Sequence, residues 1–146
     1  MSLDTQVKQK IYQHFAATGR APSVAEIATE TNAAVADVRT AYQRLREQRV
    51  LVLEADGETI RMAPPFSGVP TQHTVSIGDR QYFANCAWDS FGIVAALHRP
   101  GVVQSRCERS LDPLHLQVDL DGPERSGWVF HCGVPAAHWW RDIVFT

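Results

Sequence analysis

The chain has 146 residues, 45% hydrophobic, 21% charged and 9% aromatic, a globular composition that excludes a disordered tail, a collagen or a coiled coil. Fourteen Lys and Arg against sixteen Asp and Glu leave a formal charge of −2, so no broad basic field exists to hold nucleic acid or anionic lipid. The polar stretch from Met1 to Lys10 lacks the apolar run of a secretory signal, no stretch fits a membrane span, and Cys86, Cys107 and Cys132 contain no CxxC pair; a cytoplasmic protein with free thiols is expected.

Val7, Ile11, Tyr12 and Phe15 place an apolar stripe on a first helix that Gly19 should stop. Ser23 and Glu26 have capping-box spacing, which predicts a short second helix carrying Ile27 and Ala28. Asn32 is placed to cap a third, with Val35, Val38, Tyr42 and Leu45 on one side and Arg39, Arg44 and Arg46 largely elsewhere. Val50 to Leu53, the Asp56-Gly57 turn and Thr59 to Met62 then form a hairpin, so residues 1–63 are expected to make a winged-helix-like domain. Pro64, Pro65, Ser67, Gly68 and Pro70 mark residues 64–72 as a linker without regular structure.

Residues 73–146 are expected to form an α+β domain. Strands are predicted over His73–Ile77, Gln81–Ala84, Val102–Cys107, Leu114–Val118 and Trp128–Val134. A helix from Asn85 to Leu97 should bury Phe91, Val94, Ala95 and Leu97, and a short one is predicted over Ala136–Trp140. Asp142 to Thr146 reads as the opening of a strand; with no closing element, Trp139, Trp140 and Phe145 would be left uncovered, and a homodimer is the expectation that follows.

A winged helix invites a DNA-reading interpretation through Arg39, Arg44, Arg46 and Arg49. Residues 1–62, however, carry eight basic and eight acidic side chains, and a DNA reader would be clearly basic. No nucleic-acid partner is expected.

Chemistry concentrates where a strand hands over to a helix, in Tyr82-Phe83-Ala84-Asn85-Cys86-Ala87-Trp88-Asp89. Cys86 should stand in the first helical turn, where unpaired amides and the helix dipole favour an anion and would lower the thiol pKa. Asp89, three residues on, projects from the same face, so a soft sulfur ligand and a proton-carrying oxygen lie close together. The plain alternative makes Cys86 a small buried residue and Asp89 an ordinary first-turn acid. A thiol nucleophile partnered by His73, His98, His115, His131 or His138 has no local signature, and on one strand His131 and Cys132 would point apart, against a zinc site.

This segment resembles the core of the organomercurial (alkylmercury) lyase family, in Tyr82, Cys86, Ala87 and Asp89 with Cys107 twenty-one residues beyond Cys86. The likeness extends through Val102 to Cys107, Leu114 to Val118, and Val134-Pro135-Ala136-Ala137-His138-Trp139-Trp140. The resemblance implies protonolysis of a carbon–mercury bond, with thiolates capturing the metal and an aspartic acid protonating the departing carbon. Mercury(II) is soft and prefers sulfur, and sulfur donation eases proton attack at carbon. By resemblance, Cys86 is the first catalytic cysteine, Asp89 the proton donor and Cys107 a buried structural cysteine. Asp89 should then have a raised pKa, through burial and the neighbouring thiolate.

The family's second catalytic cysteine is not matched: Glu124 to Trp128 contains no sulfur, and Ser126 offers only a hard oxygen. Cys132 could supply the second thiolate to the substrate mercury if its strand turns it toward Cys86. The expected partners are a small organomercurial and cellular thiols, with no cofactor and no membrane. The alternative function is a soft-metal binding or sensing module without turnover, and a third is a transcription regulator.

Overall fold

In the computed structural model, which describes residues 1–145, side chains and one glycine set the ends of the first helices. Helix α1 (Leu3–Thr18) starts at Ser2, whose hydroxyl accepts the Thr5 amide, and buries Val7, Ile11 and Phe15. It ends at Gly19 with φ 75°, where a Cβ would stand 2.4 Å from the Gln81 carbonyl oxygen, so only glycine lets α1 abut the second half of the chain. Helix α2 (Val24–Thr31) carries the expected capping box. Helix α3 (Val35–Glu47) buries Val38, Ala41, Tyr42 and Leu45, while Val35, in its exposed first turn, stays outside. Asn32 does not cap α3: it closes α2 in the left-handed conformation, φ 51°, which asparagine tolerates, and Ala34 stands at the α3 cap.

The hairpin forms from β1 (Val52–Leu53) and β2 (Ile60–Ala63), its turn held by the Asp56 carboxylate accepting the Glu58 and Thr59 amides. A third strand, β3 (Phe66–Ser67), pairs with β2. The expectation that residues 64–72 hold no regular element is thereby corrected. Phe66 is 2% exposed and stacks on Phe15 at 5.2 Å between ring centroids, a distant partner that the surrounding prolines do not reveal.

The second sheet comprises β4 (Thr74–Ile77), β5 (Arg80–Phe83), β6 (Gly101–Arg106), β7 (Pro113–Asp119) and β8 (Gly122–Pro123), antiparallel in the order β5-β4-β6-β7-β8. Tyr82, Val75, Val103 and Leu116 face one another across it on one side. Helix α4 (Ala87–Leu97) covers that side, burying Ser90, Ile93 and Val94. Ala95, expected inside, is exposed, and Ile93 is buried beside Val94 instead. One set of buried side chains runs from Val7 in α1 through Phe66 to Val118 in β7. The chain is α+β, a helical N-terminal unit followed by a sheet unit.

Residues 128–134 are not a strand. The free edge of β7 is occupied at Gln117, whose amide donates to the Glu124 side chain, and it begins at Pro113, which has no amide hydrogen. Ala136–Arg141 is a 3₁₀ helix. Ile143 to Phe145 form a turn rather than a strand opening, Thr146 of that expectation lies outside the described residues, and Phe145 is 82% exposed while Trp139 and Trp140 are half-buried. Among the described residues no helix is long and apolar enough to cross a membrane.

Candidate functional site

The site is built where three segments meet: the end of β5, the start of α4, and the Pro64–Phe66 turn. Strand β5 is fixed from behind by Tyr82, 1% exposed, whose hydroxyl donates to the Ala16 carbonyl at 2.8 Å. Phe66 lies against Phe15, Tyr12 and Tyr82, so one ring joins α1, β3 and β5. The Ala84 amide donates to the His73 carbonyl and Thr71 donates to that of Ala84, which holds the chain extended as it leaves the sheet. Gly92 lets α4 approach the same turn closely, since a Cβ there would stand 3.1 Å from Pro65 Cβ.

Cys86 occupies the N-cap of α4 with extended backbone, φ −152° and ψ 178°, one position earlier than the sequence suggests. It makes no side-chain capping bond. Burial pushes its thiol above the usual range, and the charges of Asp89 and Cys132 add to this, while the Asp89 and Trp88 amides pull the other way. The expected lowering by the helix start is therefore corrected: the amides act in that direction, but loss of water outweighs them.

Asp89 stands in the first turn of α4, half-buried, and its acidity weakens as expected. Burial raises its pKa, opposed by the Asn85 side chain. Asn85 Nδ2 donates to Asp89 Oδ2 at 2.9 Å and to the Phe66 carbonyl at 3.2 Å. Tyr12 faces this carboxyl from α1: burial and the Asp89 charge raise its pKa, and its hydroxyl donates to the Pro64 carbonyl at 3.1 Å. The fold thus brings Cys86 and Asp89 together, and adds Asn85, Tyr12 and Phe66, to which sequence reasoning gave no role at the site. Asn85 sits beside the cysteine but has no motif of its own, Tyr12 read as a member of an apolar stripe, and Phe66 was hidden among prolines.

Cys132 is exposed, and its thiol donates to the Val134 carbonyl. It lies near enough to Cys86 for its charge to act there, and Phe130 packs on Trp88 at 5.6 Å between ring centroids, tying this irregular segment to the start of α4. Cys107 is not buried. It is half-exposed at the turn after β6, where the Ser110 hydroxyl and the amides of Ser110 and Arg109 hold its thiol below the usual range. His73 bonds Ser105 through Nδ1 at 2.7 Å and stands 3.6 Å from Glu108, so its ring is engaged in the sheet. Arg39 and Arg44 are paired with Glu58 and Asp4.

Among the described residues no group of three or more His, Cys, Asp or Glu side chains is arranged to hold a metal ion. Two surface hollows, one between Ser76, Gly101 and Asp119 and the other between Ser23, Asp56 and Gly68, lie away from Cys86. What the arrangement offers is a soft ligand and a proton carrier on one helical turn, with a second sulfur nearby.

No curated protein matches the chain. Among solved structures it is similar to the mercury-bound form of MerB2, with a TM-score of 0.69 and 22% identity, a likeness of fold. The alignment covers 87% of this chain and 61% of that one, so the chain spans under two thirds of that MerB2 chain's length. The MerB alkylmercury lyase family model matches residues 66–146, from the Phe66 turn through the Cys86–Asp89 helix and onward. That match takes in more than half of the sequence, and by it the chain belongs to the alkylmercury lyase family.

Proposed function

We propose that this protein cleaves carbon–mercury bonds by protonolysis, with Cys86 capturing the substrate mercury, Asp89 carrying the proton and Cys132 serving as the second sulfur. The observation that carries the reading is the Cys86–Asp89 pair on the first turn of α4, where burial favours the neutral form of both groups. Such a pair handles one proton between two sites. In the resting protein the thiol holds it and the carboxylate stands beside it. When R–Hg⁺ binds, sulfur forms a bond to mercury and gives its proton to Asp89, which burial has made a stronger base. Cys132, exposed at the surface, releases its own thiol proton to solvent and adds its sulfur to mercury, which raises electron density on carbon. Asp89 protonates that carbon with the proton taken from Cys86, the carbon–mercury bond breaks, R–H leaves, and mercury(II) stays on two sulfurs.

Cys132 is favoured as that second sulfur by its electrostatic proximity to Cys86 and by the Trp88–Phe130 contact that keeps its segment near. Cellular thiols would remove the product ion, a role suited to the cytoplasm, and the reaction as written uses no cofactor. Val129, Phe130 and Phe145 are exposed apolar side chains of the kind that a homodimer would cover. The deciding experiment incubates the protein with an organomercurial and a thiol buffer and follows hydrocarbon release. Release that depends on both Cys86 and Asp89 supports the proposal. Mercury held through Cys86 with no hydrocarbon released from wild type would leave a soft-metal binding module.

A further inference from the structure

We propose that Asn85 is a positioning residue for the protonolysis, orienting the Asp89 carboxyl so that Oδ2 is held as an acceptor and Oδ1 carries the hydrogen delivered to carbon. The inference rests on the lyase reading above and adds a residue to it. Its basis is the geometry of one amide. Asn85 Nδ2 has two hydrogens and two acceptors, the Phe66 carbonyl at 3.2 Å and Asp89 Oδ2 at 2.9 Å. The Phe66 carbonyl is backbone within β3 and accepts only, so it fixes which end of the amide points toward the carboxyl. Turning the amide over would set oxygen against oxygen at both contacts.

Held this way, Asn85 can donate to Asp89 and cannot accept from it. A protonated carboxyl has one carbonyl oxygen and one hydroxyl; the donor claims Oδ2 as the carbonyl oxygen, and the hydroxyl falls to Oδ1. Oδ1 has no hydrogen-bond partner among the described residues, so its hydrogen is free for a bound substrate. Asn85 Oδ1 is itself buried and has no partner among the described residues, a cost that a general polar role would not require. The charged and titratable groups around Asp89 are Cys86, at the start of the same helix, and Tyr12 from α1; Tyr12 is turned to the Pro64 carbonyl and leaves the carboxyl to Asn85.

The test compares wild type with Asn85→Leu, which keeps size and removes the donor, in steady-state hydrocarbon release from phenylmercury in a thiol buffer. The expected result is a fall in kcat of about a hundredfold, the scale of a misplaced reacting group, with KM and mercury–thiolate absorption at Cys86 within about twofold of wild type. An equal kcat in folded Asn85→Leu overturns the proposal, as does a loss confined to KM. Should Asn85→Leu fail to fold, Asn85→Ala, which removes both donors without adding a charge, faces the same criteria. A readout without turnover follows the Asn85 side-chain amide by ¹H–¹⁵N NMR in wild type and Asp89→Ala. A displaced resonance in Asp89→Ala supports the pairing and an unmoved one overturns it. If wild type releases no hydrocarbon, the lyase reading falls, and the amide resonance still decides whether Asn85 holds Asp89.

Discussion

Two helices in this protein begin with the same spacing of a small hydrogen-bonding side chain and an acid three residues later, Ser23 with Glu26 and Cys86 with Asp89, and they are finished differently. At Ser23 the box closes: the Glu26 amide donates to the serine hydroxyl, and Glu26 accepts the Ser23 amide at 2.8 Å. Arg20 adds a further bond at 2.6 Å, and Glu26 falls to a pKa of about 2, chiefly through that arginine. At Cys86 the box stays open: sulfur makes no capping bond, the acid turns to Asn85, and burial moves both groups toward their neutral forms. An acid satisfied by a backbone amide, a hydroxyl and a guanidinium is locked as an anion. One with a single amide donor, deprived of water, can still take up a proton and lose it again.

The largest expected effects fall on the open box. Cys86→Ser should abolish hydrocarbon release and weaken mercury capture, because oxygen is a hard ligand. Asp89→Ala should lower release about 10²–10⁴-fold while mercury still binds, the loss expected for a positioned acid. Paired assays of hydrocarbon and bound mercury separate the two, and comparable release from Asp89→Ala and wild type would place the proton source elsewhere.

The pH profile sharpens the contrast. If Cys86 and Asp89 share one proton in the resting protein, kcat/KM should be flat between their pKa values. It should fall on the acid side, as Asp89 protonates above the usual carboxylate range, and on the alkaline side, as Cys86 loses its proton above the usual thiol range. Cys132→Ser removes a like charge from the neighbourhood of Cys86 and should move the alkaline limb downward.

Stability should respond in the opposite order. Ser23→Ala opens the closed box and should cost about 1 kcal/mol, read as a fall of a few degrees in Tm. The depressed pKa of Glu26 means that its contribution is complete above the usual glutamate range and is lost as pH falls toward about 2. Asp89 has the reverse sign: its raised pKa makes the ionised form unfavourable in the fold, so Asp89→Asn should keep or raise Tm at neutral pH, with the difference shrinking in acid. A smaller effect is expected from Phe130→Ala, which loses a solvent-exposed aromatic contact worth about 0.5 kcal/mol and should loosen mercury retention toward that of Cys132→Ser. Unchanged retention would mean that the contact does not hold Cys132 in place.

Features decided within a turn of chain were readable in advance: the Ser23 box, the Gly19 stop, the hairpin at Asp56-Gly57, and the approach of Cys86 and Asp89 on one helix. What escaped was decided by distant partners. Phe66 reads as part of a proline-rich connection until its contacts with Phe15 and Tyr82 are seen. Residues 128–134 have strand-forming side chains but pair with no strand among the described residues, and at β7 the Gln117 amide is taken by Glu124. At Cys86 the helix-end amides are local and visible in sequence, whereas the removal of water by neighbouring segments is not.

Phe66 presents its ring to helix α1 and its carbonyl to the amide that grips Asp89. A graft of the sheet half onto a foreign scaffold would carry Cys86 and Asp89 intact yet leave Phe66 without Phe15 and Tyr12 to seat it. Engineers who shorten or exchange the first three helices should therefore treat that aromatic seat as part of the proposed site, and transplant it with the sulfur.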